Sequence, residues 1–131
     1  VSRGLGDVYK RQEQVEPFGP KKMVDMTIVS PCTGNTLSKI ANGIVDTPVA
    51  MAVKSTLRNH RPVLLAVSTN DGLGIGARNL GALMAMRGLY FVPFGQDDPV
   101  KKPQSLVAHF DRLVDAARAA LNGEQLQPLL I

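Results

Sequence analysis

The chain has 131 residues, 44% of them hydrophobic and 20% charged, with a formal net charge of +4. That length holds one domain with one core, and the composition is that of an ordinary globular protein. A single cysteine excludes an internal disulfide and any multi-cysteine metal site, no apolar run is long enough to cross a bilayer, and the basic residues are too scattered for a nucleic-acid stripe.

Residues 1–12 read unlike the rest. Asp7-Val8-Tyr9-Lys10-Arg11-Gln12 resembles the in-frame translation of a transposase end sequence used in DNA library preparation, so residues 1–12 are set aside from fold reasoning as a scar. The natural protein is then expected to begin upstream, and residues 13–131 to form the C-terminal part of an α/β domain.

Residues 13–22 are polar and carry the turn signal Phe18-Gly19-Pro20. Met23 to Ser30 reads as the first strand, closed by Pro31, which cannot continue a central strand. The stretch Ser30-Pro31-Cys32-Thr33-Gly34-Asn35-Thr36 follows as a tight turn into a helix. Gly34 permits a positive φ or a close backbone approach, and Thr33, Asn35 and Thr36 are natural N-caps. The helix ends near Asn42-Gly43. Thr47 and Pro48 open the next helix as N-cap and first helical residue, with Val49, Val53 and Leu57 at helical spacing.

Pro62 to Val67 reads as a strand buried on both faces. The polar turn Ser68-Thr69-Asn70-Asp71-Gly72 continues through Gly74 and Gly76, as a flexible or closely approached loop would. Ala77 to Arg87 is expected to be helical, with Leu80, Leu83 and Met84 on one face and Gly88 as its cap. Leu89 to Val92 is the third strand, stopped by Pro93. The loop Phe94 to Lys102 is long for a βα connection. Pro103 is expected to start the last helix, with Leu106, Val107, Phe110, Leu113, Val114 and Ala117 as its stripe, ended by Asn122-Gly123. The apolar tail 127–131 fits an edge strand or a partner's surface.

Strand and helix alternate, which predicts a three-layer Rossmann-like or flavodoxin-like parallel sheet, incomplete at its N-terminus. Three polar loops follow strands and so share the carboxyl edge, where open α/β sheets bind ligands. The missing upstream strands would leave an exposed sheet edge.

Each chemistry-bearing residue has a plain alternative. Cys32, at a helix N-terminus, has the setting of an activated thiol, but no basic partner can be assigned and free cysteine is most often a small buried hydrophobe. Thr33, Asn35 and Thr36 can cap a helix or hold an anion with the same N–H groups. Asn70 is a turn residue or a ligand contact. Asp46 reads as structural. His60 and His109 have no metal-spaced partner. Asp97-Asp98 offers a base or cation site, or a solvated loop balanced by Lys101-Lys102.

Pro31-Cys32-Thr33-Gly34-Asn35-Thr36 resembles the Pro-Ala-Ser-Ala-Asn-Thr signature of flavin-binding cysteine decarboxylases, and Val67-Ser68-Thr69-Asn70 resembles their Pro-Ala-Met-Asn signature. Asn79-Leu80, Leu83 and Gly88 fit the same pattern. Residues 41–49, 54–59, 68–74 and, most specifically, 90–103 are similar to the dipicolinate synthase B-subunit branch of that flavoprotein family. Ser68-Thr69 stands where the decarboxylases have Ala-Met, which fits the dipicolinate synthase branch.

The resemblance implies cofactor contacts from Pro31, Thr33, Gly34, Asn35, Thr36, Ser68, Thr69 and Asn70, with FMN as the cofactor; no metal is expected from the residue pattern. It also implies a partner, the synthase A-subunit, carrying NADP, together with a homo-oligomer and a cytoplasmic place in the mother cell of a sporulating bacterium. The implied activity is oxidation of a dihydro- or tetrahydrodipicolinate precursor to dipicolinate. The alternatives are a flavin-dependent cysteine-type decarboxylase and a non-catalytic assembly component of the family.

Overall fold

The computed structural model describes residues 25–131. The readings of 1–12 and of 13–22, and the first two residues of the expected strand at Met23, lie outside the described residues.

The centre of the fold is strand β2, Val63–Thr69; β1 is Thr27–Cys32 and β3 is Leu89–Phe91. Val63, Leu64, Leu65, Ala66 and Val67 are all completely buried. Successive strand residues point to opposite faces, so both faces of β2 are covered. β1 and β3 each pair with β2 in parallel, with Thr27 opposite Val63 and Val63 opposite Leu89. The parallel three-strand unit expected from the alternation is therefore present.

Helix α1 spans Gly34–Ala41, α2 Pro48–Arg58, α3 Ala77–Met84 and α4 Leu113–Leu121. The expected caps form. Thr33 Oγ1 accepts from the Thr36 N–H at the start of α1, and Thr47 Oγ1 accepts from the Ala50 N–H with Pro48 in the first turn of α2. Gly43 and Gly88 follow α1 and α3 at φ +70 and +84, where a Cβ would be strained. α1 packs against α2 and α3, and Asn42 Nδ2 donates to Asn79 Oδ1 at 3.2 Å to tie α1 to α3. α4 packs on β2 and β3.

Four expectations are corrected. The first strand does not stop at Pro31 but runs to Cys32. Its register shifts between Val29 and Cys32, and Pro31, exposed at that irregular step, escapes the ladder hydrogen bond it cannot donate. Helix α3 stops at Met84 rather than Arg87, and Met84 is 45% exposed rather than on the buried face with Leu80 and Leu83.

The last helix does not begin at Pro103. Leu106–Ala108 is a strand, β5, followed by a 3-10 turn at Phe110–Arg112 and only then by α4. β5 pairs antiparallel with the end of β2, beyond the reach of β3, and with the two-residue strand β4, Phe94–Gly95. The sheet is thus mixed and five-stranded rather than parallel throughout. Pairing at Ser68 and Thr69 satisfies backbone groups that a helix at 103–108 would have left open. The tail reaches the same edge. Leu130 bridges Phe94 in parallel, the Phe94 N–H donates to Leu129 O, and the Ile131 N–H donates to Phe94 O.

Candidate functional site

A cavity of about 560 Å³ opens at the carboxyl ends of β1 and β2. Its first wall is the start of α1, with Thr33, Gly34 and Asn35. Its second is the end of β2, with Ser68 and Thr69, and the turn that follows it, with Asn70 and Asp71. Its third is the Asp97 loop and the strand it leads into, with Asp97, Lys102, Ser105 and Val107. The three polar loops thus meet at one edge of the sheet, as the strand-loop pattern predicts.

Of the eight residues that the resemblance singles out, Thr33, Gly34, Asn35, Ser68, Thr69 and Asn70 line this cavity. Pro31 and Thr36 do not. Pro31 lies in the irregular end of β1, and Thr36 faces back to Thr33, whose hydroxyl donates to Thr36 Oγ1 at 3.4 Å.

The first two walls approach each other closely. Thr69 donates its hydroxyl to Asp71 Oδ1 at 2.6 Å. A Cβ on Gly34 would lie 2.7 Å from Thr69 Oγ1 and 3.3 Å from Asp71 Oδ1. Gly34 is therefore required for the close approach of α1 to the second loop, not for a positive φ. Asp71 also organises its own loop, its carbonyl accepting from the N–H groups of Gly74 and Gly76. Gly72 is confined too, since an added Cβ would meet the buried Leu106 at 2.6 Å; at Gly74 it would meet only the end of the exposed Gln104 side chain, which can turn away. The glycine-rich segment after β2 is thus a closely approached loop.

The third wall is held by charge and by turns. Lys102 Nζ lies 3.0 Å from Asp97 Oδ2. Hydrogen bonds from Lys102 and from Ser105 hold the Asp97 carboxyl below the usual carboxylate range. Asp98 faces its own turn, with Oδ1 accepting from the Lys101 N–H. The acidic pair is therefore balanced by lysine and by backbone.

Cys32 is fully buried, and burial pushes its thiol up to about 12, so the plain reading of this residue holds. Asp46 pairs with Lys39 at 2.8 Å, away from the cavity. His109 contacts the Ile131 carbonyl at 3.1 Å, a packing role for the tail. Among the described residues no three His, Cys, Asp or Glu side chains form a group that could hold a metal ion. No described helix is long and apolar enough to cross a membrane.

Ser105 and Val107 are the lining residues that the sequence pattern does not place at this edge, and Lys102, the last residue of the third polar loop, is read there only as charge balance for Asp97-Asp98. The signal for Lys102 is the charge pattern from Asp97 to Lys102. Ser105 and Val107 fall inside the helix expected from Pro103, which would carry them away from the sheet edge.

Comparison with known proteins supplies the family. The chain is 51% identical over 118 residues to the B-subunit of dipicolinate synthase from Bacillus subtilis (strain 168), covering 90% of this chain and 59% of that protein. The crystal structure of the dipicolinate synthase B-subunit from Bacillus halodurans C matches with a TM-score of 0.87 at 51% identity, over 90% of this chain and 60% of that one. A shorter match, 46% identity over 55 residues, is to the coenzyme A biosynthesis bifunctional protein CoaBC of Thermococcus kodakarensis, covering 41% of this chain and 13% of that protein. The chain thus spans about three fifths of the length of the two dipicolinate synthase relatives it matches. The flavoprotein family model matches residues 6–119, and on that match the chain belongs to the flavoprotein family.

Proposed function

We propose that this chain acts as the B-subunit of a dipicolinate synthase, supplying a flavin-type pocket to a two-component enzyme that oxidises a dihydro- or tetrahydrodipicolinate precursor to dipicolinate during sporulation. The observation that carries the reading is the 51% identity to the Bacillus subtilis protein over 118 residues, a span long enough to include all three walls of the cavity. A Rossmann-type A-subunit would carry NADP and accept the hydride. The complex would work in the cytoplasm of the mother cell, with this chain as a homo-oligomer.

FMN suits the cavity on two grounds. Its volume falls within the range of small-molecule sites, about 300–1,000 Å³. The lining is rich in hydroxyl and amide groups, from Thr33, Asn35, Ser68 and Asn70, which can donate to and accept from a ring system edged with carbonyl and N–H groups and a polyhydroxyl chain. Thr33, Gly34, Asn35, Ser68, Thr69 and Asn70 would hold it, with Pro31 and Thr36 shaping the turn behind. A bound flavin supplies a two-electron acceptor. The residues around it would bind and orient the ligand, and the Thr69–Asp71 hydrogen bond would hold the second wall in shape.

The test is purification of this chain alone and together with an A-subunit. Flavin absorbance in the protein fraction, and NADP-dependent formation of pyridine-2,6-dicarboxylate only when both chains are present, are the expected results. A colourless protein that completes the reaction would remove the flavin and keep the role in the synthase. A second reading, a flavin-dependent cysteine-type decarboxylase, rests on the resemblance of Pro31–Thr36 and Val67–Asn70 to the signatures of those enzymes. Carbon dioxide release from a cysteine-derived carboxylate by this chain without its partner would support it over the first.

A further inference from the structure

Among the described residues, the charged groups in the cavity lining are Asp71, Asp97 and Lys102. Asp71 is committed to the protein through the Thr69 hydroxyl. Lys102 is the one cation of that lining. Its side chain is 56% exposed and its partner Asp97 32% exposed, at 3.0 Å. Lys101, next to it and equal in charge, does not line the cavity.

The backbone turn determines which lysine faces in. Asp98 Oδ1 accepts from the Lys101 N–H at 3.0 Å, Asp98 O from the Lys102 N–H at 2.8 Å, and Lys102 O from the Ser105 N–H at 3.1 Å. Gln96 Nε2 ties the loop to Pro103 O, and the Leu73 N–H ties Gln104 O to the second wall. Lys102 is therefore carried on a hydrogen-bonded turn docked to the rest of the site, rather than on a free loop. An ion pair this open to water contributes little to stability. An anionic oxygen of a ligand can take the place of Asp97 beside Nζ without stranding a charge.

We infer that Lys102 is the specificity-determining cation of this cavity, contacting an anionic oxygen of the bound ligand, and that Asp97 is its resting partner, a carboxylate that the ligand displaces from the ammonium. The inference rests on the flavin-pocket reading above and deepens it. The shared chemistry is a singly or doubly charged oxyanion, either the phosphate of FMN or a carboxylate of the dipicolinate skeleton.

The experiment titrates this chain with FMN, riboflavin and pyridine-2,6-dicarboxylate as separate probes. The variants are Lys102→Met, Lys102→Arg, Asp97→Asn and, as a control, Lys101→Met. Losing a charge-assisted contact at a partly exposed site is expected to weaken the contacted anionic probe about tenfold in Lys102→Met. Lys102→Arg should bind within about threefold of the parent, since it keeps the charge. Asp97→Asn should bind about threefold tighter, because a competing carboxylate is gone. Lys101→Met should match the parent.

Weakening for FMN but not riboflavin assigns the phosphate; weakening for the dicarboxylate assigns the carboxylate. Equal loss for FMN and riboflavin, unchanged binding of both anionic probes, or weakening in Asp97→Asn as large as in Lys102→Met would each overturn the inference while leaving the pocket reading standing. Binding of no probe by the parent chain would overturn the pocket reading and the inference with it. Lys102→Arg and Asp97→Asn are conservative enough to carry the test if Lys102→Met fails to fold.

Discussion

Gly34 shows how a single residue couples two walls of the site. It sits at the start of α1 with room for a hydrogen and no more, because Thr69 Oγ1 would be 2.7 Å from a Cβ. Thr69 is nearly buried and already bonded to Asp71, so it cannot simply turn away. Gly34→Ala is therefore expected to cost about 1–3 kcal/mol through overpacking, against the gain in helix propensity that alanine brings elsewhere in a helix. Urea denaturation of the two proteins measures it, and an unchanged or raised midpoint would show that α1 can shift freely. The need for glycine here is legible in the sequence, but its cause is not, since the atoms that exclude a side chain belong to Thr69 and Asp71, far along the chain. Cys32 makes the opposite case. With its thiol pushed up to about 12 by burial, it is expected to resist alkylation at about pH 8 in the folded protein and to react readily in denaturant. Rapid labelling of the native chain would restore the catalytic reading of that thiol.

At the scale of elements, the outer side of β3 depends on a side chain. The Gln125 amide accepts from the Phe91 N–H at 2.8 Å and donates to the Phe91 carbonyl at 2.7 Å, as a neighbouring strand would. Phe91 is 2% exposed, so no solvent stands ready to replace Gln125. Gln125→Leu leaves two buried backbone groups without partners and should destabilise the fold by about 2–4 kcal/mol. A loss below about half a kilocalorie per mole, read from denaturant curves, would mean that water reaches the edge. Contacts of this kind explain what can and cannot be read from the sequence. The buried run at 63–67, the caps at Thr33 and Thr47 and the positive-φ glycine after α1 at Gly43 are written in local residue types, and they form as read. β2 runs on through Ser68 and Thr69, which read as a turn, and Gly88 does not cap α3, which ends at Met84 with Ala85 as its cap. Leu106, Val107, Phe110 and Leu113 fit a helical stripe equally well on spacing alone. What makes Leu106–Ala108 a strand is the unpaired end of β2 at Ser68 and Thr69, a partner invisible in the local window. The same distant pairing is what brings Ser105 and Val107 to the site.

For the molecule as a whole, the mixed sheet gives the cavity a wall that a purely parallel sheet would lack. β5 and β4 fold the segment after β3 back against the end of β2, and that return carries the Asp97–Lys102 turn to face α1. The wall is fastened by charge as well as by strand pairing, so it should respond to acid. Both Asp97 and Asp46 are held below the usual carboxylate range, Asp97 chiefly by the hydrogen bond from Lys102 and Asp46 by the one from Lys39. A carboxyl whose folded pKa lies below its unfolded value contributes stability that is fully present above the unfolded value, about 4. That contribution is lost as pH falls through the folded value. The direction is therefore fixed: from neutral pH to about pH 5 these pairs leave stability flat, and below about pH 4 they withdraw it. Both pairs are open to water, so each effect is small and best seen by difference. Denaturant midpoints of the parent, Asp97→Asn and Asp46→Asn between about pH 6 and about pH 2.5 are the measurement. Each variant should start slightly below the parent at the upper end and converge with it at the lower, because the protonated carboxyl and the amide are then equivalent in charge. Asp97→Asn should also abolish any acid-dependent change in the cavity that a ligand reports, whereas Asp46→Asn, remote from it, should not. Parallel curves that never converge would show that neither carboxylate is held below its unfolded value by its lysine.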